Sequence, residues 1–136
     1  MKSRDAVISL KRFEVEEKRR KVTEIELMIS EFNQTAIDLD RQIAIEQERA
    51  GVTDVNHYAY PTFAKAALQR RNNLAVSAVD LETQLEAARQ MLGDALEDLK
   101  KMELLEERDA ERIRLDQARA NPGAHAGTVM AQRAAS

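Results

Sequence analysis

The sequence predicts an all-α protein in which two long helices fold back on each other as an antiparallel coiled-coil hairpin. Apolar residues recur at three-then-four spacing in two stretches, from Val22 to Ile43 and from Leu74 to Met102. Such spacing, held over three or more heptads, is typical of helices that wind around a partner helix. Between the two stretches, only the short segment from Gly51 to Pro61 reads as non-helical, so the nearest partner for each helix is the other one.

The composition agrees with a thin helical rod rather than a globular core. Of the 136 residues, 33% are charged and only 4% are aromatic, which leaves few large side chains to fill a core. The chain has no cysteine, so it has no disulfide framework and no thiolate site. Its charged start lacks the apolar core of a signal peptide, and no uncharged run approaches the roughly 18 apolar residues of a membrane span. We therefore expect a cytoplasmic protein with no membrane span.

The first helix is predicted to span residues 4–50, because no glycine or proline interrupts it before Gly51. Gly51 suits the left-handed conformation that ends many helices. The bend is predicted to cover residues 51–60, where either Thr53 or Asp54 can cap one short turn.

The second helix is predicted to span residues 61–119. Pro61 fits its first turn, because the amide that proline lacks would be unpaired there in any residue. The run Asn121-Pro122-Gly123 ends this helix. The residues after it are rich in small side chains and have no hydrophobic period, so we expect one hairpin domain, residues 1–120, followed by a disordered tail, residues 121–136.

Charged residues at core positions of the heptads predict how the two helices align. If paired residues have numbers that sum to 117, Lys11 meets Glu106 and Glu46 meets Arg71. A slide by one heptad, to a sum of 110, places Lys11 opposite Leu99, and an unpaired buried charge is costly. The first register is therefore preferred, although the second centres the bend more evenly between the helices.

The charge distribution argues against nucleic acid as a partner. The net charge is −3, and residues 1–21 carry eight bases and four acids, whereas residues 22–60 carry two bases and eight acids. The basic cluster at residues 18–21 is flanked by glutamates. A nucleic-acid-binding protein more often has a net basic face with interleaved aromatic residues. We expect a solvated charged surface instead.

No catalytic, cofactor-binding or metal-binding set of residues stands out in the sequence. The two histidines, His57 in the bend and His125 in the tail, have no cysteine or triad partner nearby. The four glycines are dispersed, so no phosphate-binding loop is present. We therefore expect a protein that is not an enzyme and that holds no cofactor.

Apolar residues outside the predicted seam mark a candidate contact surface near the open end, where the two helix ends meet. Leu10 and Phe13 of the first helix and Leu104 of the second fall outside the heptad core at nearly the same level. Such residues can bind a partner, although a seam that drifts near a frayed end predicts the same pattern. With the bases beside them, the favoured contact residues are Arg12, Phe13, Arg19, Lys101 and Leu104.

The bend holds three of the five aromatic residues of the chain, Tyr58, Tyr60 and Phe63. These residues can plug the top of the hairpin, which is the simpler interpretation, or they can dock a partner. The docking hypothesis names Tyr60 and Phe63 as the contact residues.

Three segments of the chain, residues 10–20 (LKRFEVEEKRR), 60–63 (YPTF) and 99–108 (LKKMELLEER), resemble the FliJ family. The members of this family are soluble components of the flagellar type III export apparatus, and the resemblance covers residues 1–118. It implies an antiparallel coiled-coil hairpin similar to the central stalk of rotary ATPases. Tyr60 and Phe63 match two aromatic residues of the family in a region implicated in contact with the export gate.

The resemblance also implies a set of partners. In the family, the hairpin sits in the pore of the hexameric flagellar export ATPase, promotes assembly of the ring, and contacts the cytoplasmic domain of the membrane export gate. Export chaperones are further candidate partners. The expected location is the cytoplasm, with peripheral association at the export apparatus of the inner membrane.

Two other classes of function fit the same hairpin. A prefoldin-like or secretion chaperone would grip unfolded clients with its helix tips, and would suppress client aggregation without any ATPase partner. A coiled-coil scaffold dimer would place Phe13 and Leu104 in a self-interface, and its dimer would not depend on concentration.

Overall fold

Two helices make up nearly all of the chain that the structure describes. The computed structural model describes residues 2–120, with α1 spanning Lys2–Ala50 and α2 spanning Thr62–Ala120. These bounds lie within two residues of the predicted ones, and the all-α fold is confirmed. The predicted tail, residues 121–136, lies outside the described residues.

The two helices run antiparallel and pack against each other as a hairpin. Three ion pairs join α1 to α2. From pair to pair, the residue number of the α2 partner falls as that of the α1 partner rises, as expected of antiparallel helices. The pairs are Arg4 with Asp109, Arg12 with Glu103 at 3.7 Å, and Asp40 with Arg71 at 3.0 Å. The 49 residues of α1 correspond to a rod about 70 Å long at 1.5 Å per residue.

The core is a thin seam between the helices. Its largest cluster contains Val22, Ile25, Ile29, Leu81, Leu85 and Ala88, with Phe32 and Leu92 packed against it. A second cluster, nearer the bend, joins Leu39, Ile43 and Ala67. These residues lie on the predicted three-then-four spacing, so the apolar period of the sequence is the period of the packed seam.

The alignment of the helices does not follow the preferred register, in which paired numbers sum to 117. Taken in order along the antiparallel helices, the buried residues of the two clusters pair at the alternative sum of 110: Val22 with Ala88, Ile25 with Leu85, Ile29 with Leu81, and Ile43 with Ala67. The residue numbers of the three interhelical ion pairs, whose long side chains reach along the rod, sum to 113, 115 and 111. The predicted pairs of Lys11 with Glu106 and of Glu46 with Arg71 are wrong. Their partners in the structure are Glu14 for Lys11, Arg49 for Glu46 and Asp40 for Arg71. Lys11 and Glu46 each pair with a residue one turn away on their own helix, so these two charges do not set the register.

Hydrogen bonds order the bend between the helices. Gly51 has a φ of 69°, as predicted, and ends α1 with its N–H still bonded to the last turn at 2.9 Å. The Oδ1 of Asp54 accepts the N–H of Asn56 at 2.9 Å, so Asp54 organises the short turn. The carbonyl of Pro61 accepts the N–H of Lys65 at 3.0 Å, which is the first bond of α2.

Candidate partner-binding surfaces at the two ends of the hairpin

The open end of the hairpin lies where the start of α1 packs against the last third of α2. Ile8 and Val15 are buried there, and the pair of Arg4 with Asp109 closes the seam. The longer helix α2, with 59 residues against 49 in α1, continues past Asp109 by about 16 Å. All of residues 110–120 are exposed, so this part of α2 extends beyond the packed pair as a single helix.

Phe13 and Leu104 are exposed as predicted, but they face opposite sides of the hairpin. Phe13 is 62% exposed and Leu104 is 44% exposed. Phe13 lies two residues before buried Val15, and Leu104 lies two residues before half-buried Glu106. A two-residue step turns a helix by about 200°, so each side chain points away from the seam. The two residues therefore place one exposed apolar side chain on each of two opposite faces of the rod, and they do not form a single patch.

The bases beside these apolar residues take part in weak surface ion pairs. Arg12 pairs with Glu103 across the seam at 3.7 Å, and Arg19 pairs with Glu16 on its own helix at 3.5 Å. Exposed pairs of this kind stabilise a protein by about 0–1 kcal/mol, so acidic groups of a partner can replace them at little cost. A shallow hollow of about 300 Å³ on α2 is lined by Lys101, Leu104, Leu105 and Arg108.

At the other end of the hairpin, Tyr60 is part of the bend's own packing. Its side chain is 8% exposed, and its hydroxyl accepts a hydrogen bond from Nε2 of Gln47 at 3.0 Å. The plug interpretation therefore describes Tyr60, which leaves little of its surface for a partner. Phe63 is different, because 57% of it is exposed at the start of α2.

Tyr58 is an exposed aromatic residue that the predicted contact set omitted. It is 95% exposed, and its ring stacks on His57 with 4.6 Å between the ring centroids. The loop beneath it is held by three hydrogen bonds of 3.0 Å: from the N–H of His57 to the carbonyl of Asp54, from the N–H of Ala59 to Nδ1 of His57, and from the N–H of Tyr60 to the carbonyl of His57. The spacing of apolar residues does not predict which side chains are exposed in a non-helical turn. The one feature of the sequence that pointed to Tyr58 was an aromatic residue among turn-forming residues.

Among residues 2–120, no group of three or more His, Asp or Glu side chains lies close enough together to hold a metal ion. Over the same range, neither helix contains an apolar stretch long enough to cross a membrane. Comparisons with protein-family models, curated proteins and solved structures find no match. The geometry of the two ends and the sequence resemblance are therefore the basis for a functional proposal.

Proposed function

We propose that this protein is a non-catalytic stalk of the bacterial flagellar type III export apparatus, of the FliJ type, which links a hexameric export ATPase to the export gate. The open end carries this proposal. It is a narrow rod end with apolar residues, Phe13 and Leu104, exposed on opposite faces. A stalk inside a ring must contact subunits on more than one side, and this arrangement provides such contacts.

A stalk of this kind acts by stiffness and by asymmetric contact. Within the described residues, the open end of the rod changes from the single helix of residues 110–120 to two packed helices. The subunits of the ring therefore face different side chains at any moment. A ligand shifts a conformational equilibrium only when it binds one state more tightly than the other. An asymmetric rod inside a symmetric ring contacts the subunits differently, so it can favour different conformations in different subunits.

Charge at the open end assists the encounter with the ring. Three exposed bases lie close in sequence to Phe13 and Leu104: Arg12, Arg19 and Lys101. Charges at the rim of an interface raise the association rate and fix orientation more than they add affinity. Acidic groups on the ring subunits are the complement that this surface needs.

The bend is the end that we assign to the cytoplasmic domain of the export gate. Exposed Phe63 and Tyr58 provide two aromatic anchors there, and residues of this type are enriched in the hot spots of interfaces. Export chaperones are further candidate partners of the same rod. Peripheral location at the inner membrane follows from these partners.

The test of the open-end contact is the activity of the ring ATPase with the wild-type protein and with Phe13→Asp/Leu104→Asp. We expect the double variant to lose most of the stimulation while its circular dichroism melt stays close to wild type, because exposed substitutions usually change stability by less than about 0.5 kcal/mol. The matched control is Leu27→Asp/Met91→Asp, at positions that are 59% and 55% exposed along the rod. Full stimulation by a folded Phe13→Asp/Leu104→Asp variant would remove this surface from the proposal.

A further inference from the structure

The outward side of α2 carries a second line of residues at heptad spacing, separate from the seam that packs on α1. All seven residues of this line are exposed, and the five central ones are uncharged in a chain that is 33% charged. Its two apolar members, Val76 and Val79, are 64% and 65% exposed. The outer line consists of Lys65, Gln69, Asn72, Val76, Val79, Thr83 and Glu86.

We propose that the outer line binds the outer line of a second copy of the chain in antiparallel orientation, with a two-fold axis between residues 76 and 79. This inference goes beyond the stalk function and does not depend on it. In this antiparallel alignment, Val76 of each copy contacts Val79 of the other copy. These two valine contacts lie on either side of the two-fold axis. The next facing pair is Asn72 with Thr83, whose polar groups are able to hydrogen-bond.

Charge at the ends of the outer line favours this occupant and this orientation. Lys65 stands at one end and Glu86 at the other, and neither takes part in an ion pair within residues 2–120. The antiparallel alignment brings each Lys65 within about one helical turn of Glu86 of the second copy, and symmetry forms this contact twice. A parallel alignment would instead bring like charges together, which is unfavourable.

The corresponding outward line of α1 lacks this self-complementary charge. The α1 line consists of Arg20, Thr23, Leu27, Ser30, Gln34, Ile37 and Arg41. Its five central residues are also uncharged, and Leu27 and Ile37 are 59% and 52% exposed, but arginines stand at its two ends. Self-pairing would therefore bring arginine against arginine. Both arginines already pair with acids on α1, Arg20 with Glu17 at 2.6 Å and Arg41 with Asp38 at 4.0 Å. The α1 line is thus a matched control for the α2 line.

The dimer would be extended and would leave both open ends free. The proposed axis lies about 23 Å from the start of α2 and about 64 Å from its end, so the two α2 helices overlap over about 46 Å, up to residue 93, and the rest of each hairpin extends beyond its partner. Their open ends then point in opposite directions. The outer line is only about 32 Å long, so the interface is small and the association is expected to be weak and dependent on concentration.

The first test is the mass of the intact chain in solution, measured by sedimentation equilibrium up to about 500 µM, a range suited to small interfaces of micromolar affinity. The wild-type mass should rise from 15.4 kDa toward twice that value. Val76→Glu should stay at the monomer mass, and the control Leu27→Glu should associate like wild type. A wild-type chain that stays monomeric throughout, or a Val76→Glu variant that associates like wild type, would overturn the proposal.

The second test is a charge exchange that is independent of folding. Lys65→Glu places acids at both ends of the outer line, so dimerisation should weaken roughly threefold to tenfold, as for the loss of exposed charge pairs. The double variant Lys65→Glu/Glu86→Lys restores the opposite charges and should recover the wild-type dissociation constant. If the double variant associates no better than Lys65→Glu alone, the antiparallel α2 pairing is wrong.

Discussion

Gly51 and Gly93 have the same free space around them but different backbones. No atom lies within 4 Å of a Cβ built at either position, so an added methyl group meets no steric obstacle. Gly51 has a φ of 69°, which is left-handed, whereas Gly93 lies inside α2. A side chain in the left-handed region costs about 1–2 kcal/mol, and glycine inside a helix is less stable than alanine by about 1 kcal/mol.

The same substitution should therefore have opposite effects at the two glycines. We expect Gly51→Ala to lower the free energy of unfolding by about 1 kcal/mol and Gly93→Ala to raise it by a similar amount. Urea unfolding followed by circular dichroism measures both. Equal signs for the two variants would contradict the left-handed helix end at Gly51.

Tyr60 and Phe63 should separate the stability of the bend from its binding. Tyr60→Ala removes a buried ring and the hydrogen bond to Gln47, and should lower the free energy of unfolding by about 3 kcal/mol. Phe63→Ala removes a ring that is 57% exposed, so its cost should be below about 1 kcal/mol. Binding to the purified cytoplasmic domain of the export gate should nevertheless weaken in Phe63→Ala.

Melting curves and binding isotherms of the two variants distinguish these roles, and Tyr58→Ala serves as a second exposed aromatic variant. Equal losses of stability and of binding in Phe63→Ala would instead make Phe63 a structural residue of the bend.

The seam between α1 and α2 contains one carboxylate, that of Glu106, with a buried oxygen that has no hydrogen-bond partner within the described part of the chain. Glu106 occupies a core position of α2, and the buried oxygen is its Oε2. A buried polar atom without a partner costs about 1–3 kcal/mol. The carboxylate therefore weakens the seam at this point.

Replacing that carboxylate should stabilise the hairpin. We expect Glu106→Leu to raise the free energy of unfolding by about 1 kcal/mol, because it removes the unpaired atom and adds apolar area to the seam. Glu107→Leu, at the exposed neighbouring position, is the control and should change stability little. Chemical unfolding of the three proteins decides the matter, and a Glu106→Leu variant less stable than wild type would contradict the role given to this residue.

The helices and the bend were predictable from the sequence because local chemistry determines them. Gly51 and Pro61 interrupt the helical pattern, and the apolar spacing is dense enough to identify the buried face. The register was not predictable from charge pairs. Lys11 and Glu46 bind acids or bases one turn away, so the alignment reflects packing and the connection through the bend rather than complementary charges.

The candidate surfaces were predictable in part for the same reason. Exposure of Phe13 and Leu104 followed from their positions outside the heptad core, since helical geometry relates position to face. The sequence did not predict that Tyr60 is buried while Tyr58 is exposed. Both lie in the irregular bend, where hydrogen bonds such as that from Gln47 to Tyr60, rather than a period, decide which ring is buried.

The hairpin as a rod separates two kinds of surface. The open end carries apolar residues on opposite faces together with exposed bases, and the bend carries exposed aromatic residues. A seam that runs between them, from Ile8 to Ala64, holds these ends at a fixed separation. A stiff connector with two different ends is suited to transmit a contact between two large partners, as a stalk must.

The stalk proposal is tested by affinity capture of the tagged protein from flagellated cells, followed by mass spectrometry. The proposal predicts recovery of both the hexameric flagellar export ATPase and the large export-gate protein. Phe13→Asp/Leu104→Asp should lose the ATPase and keep the gate protein, whereas Phe63→Ala should show the reverse. Recovery of neither partner by the wild-type protein, or recovery only of unfolded client proteins, would contradict the stalk and favour a chaperone.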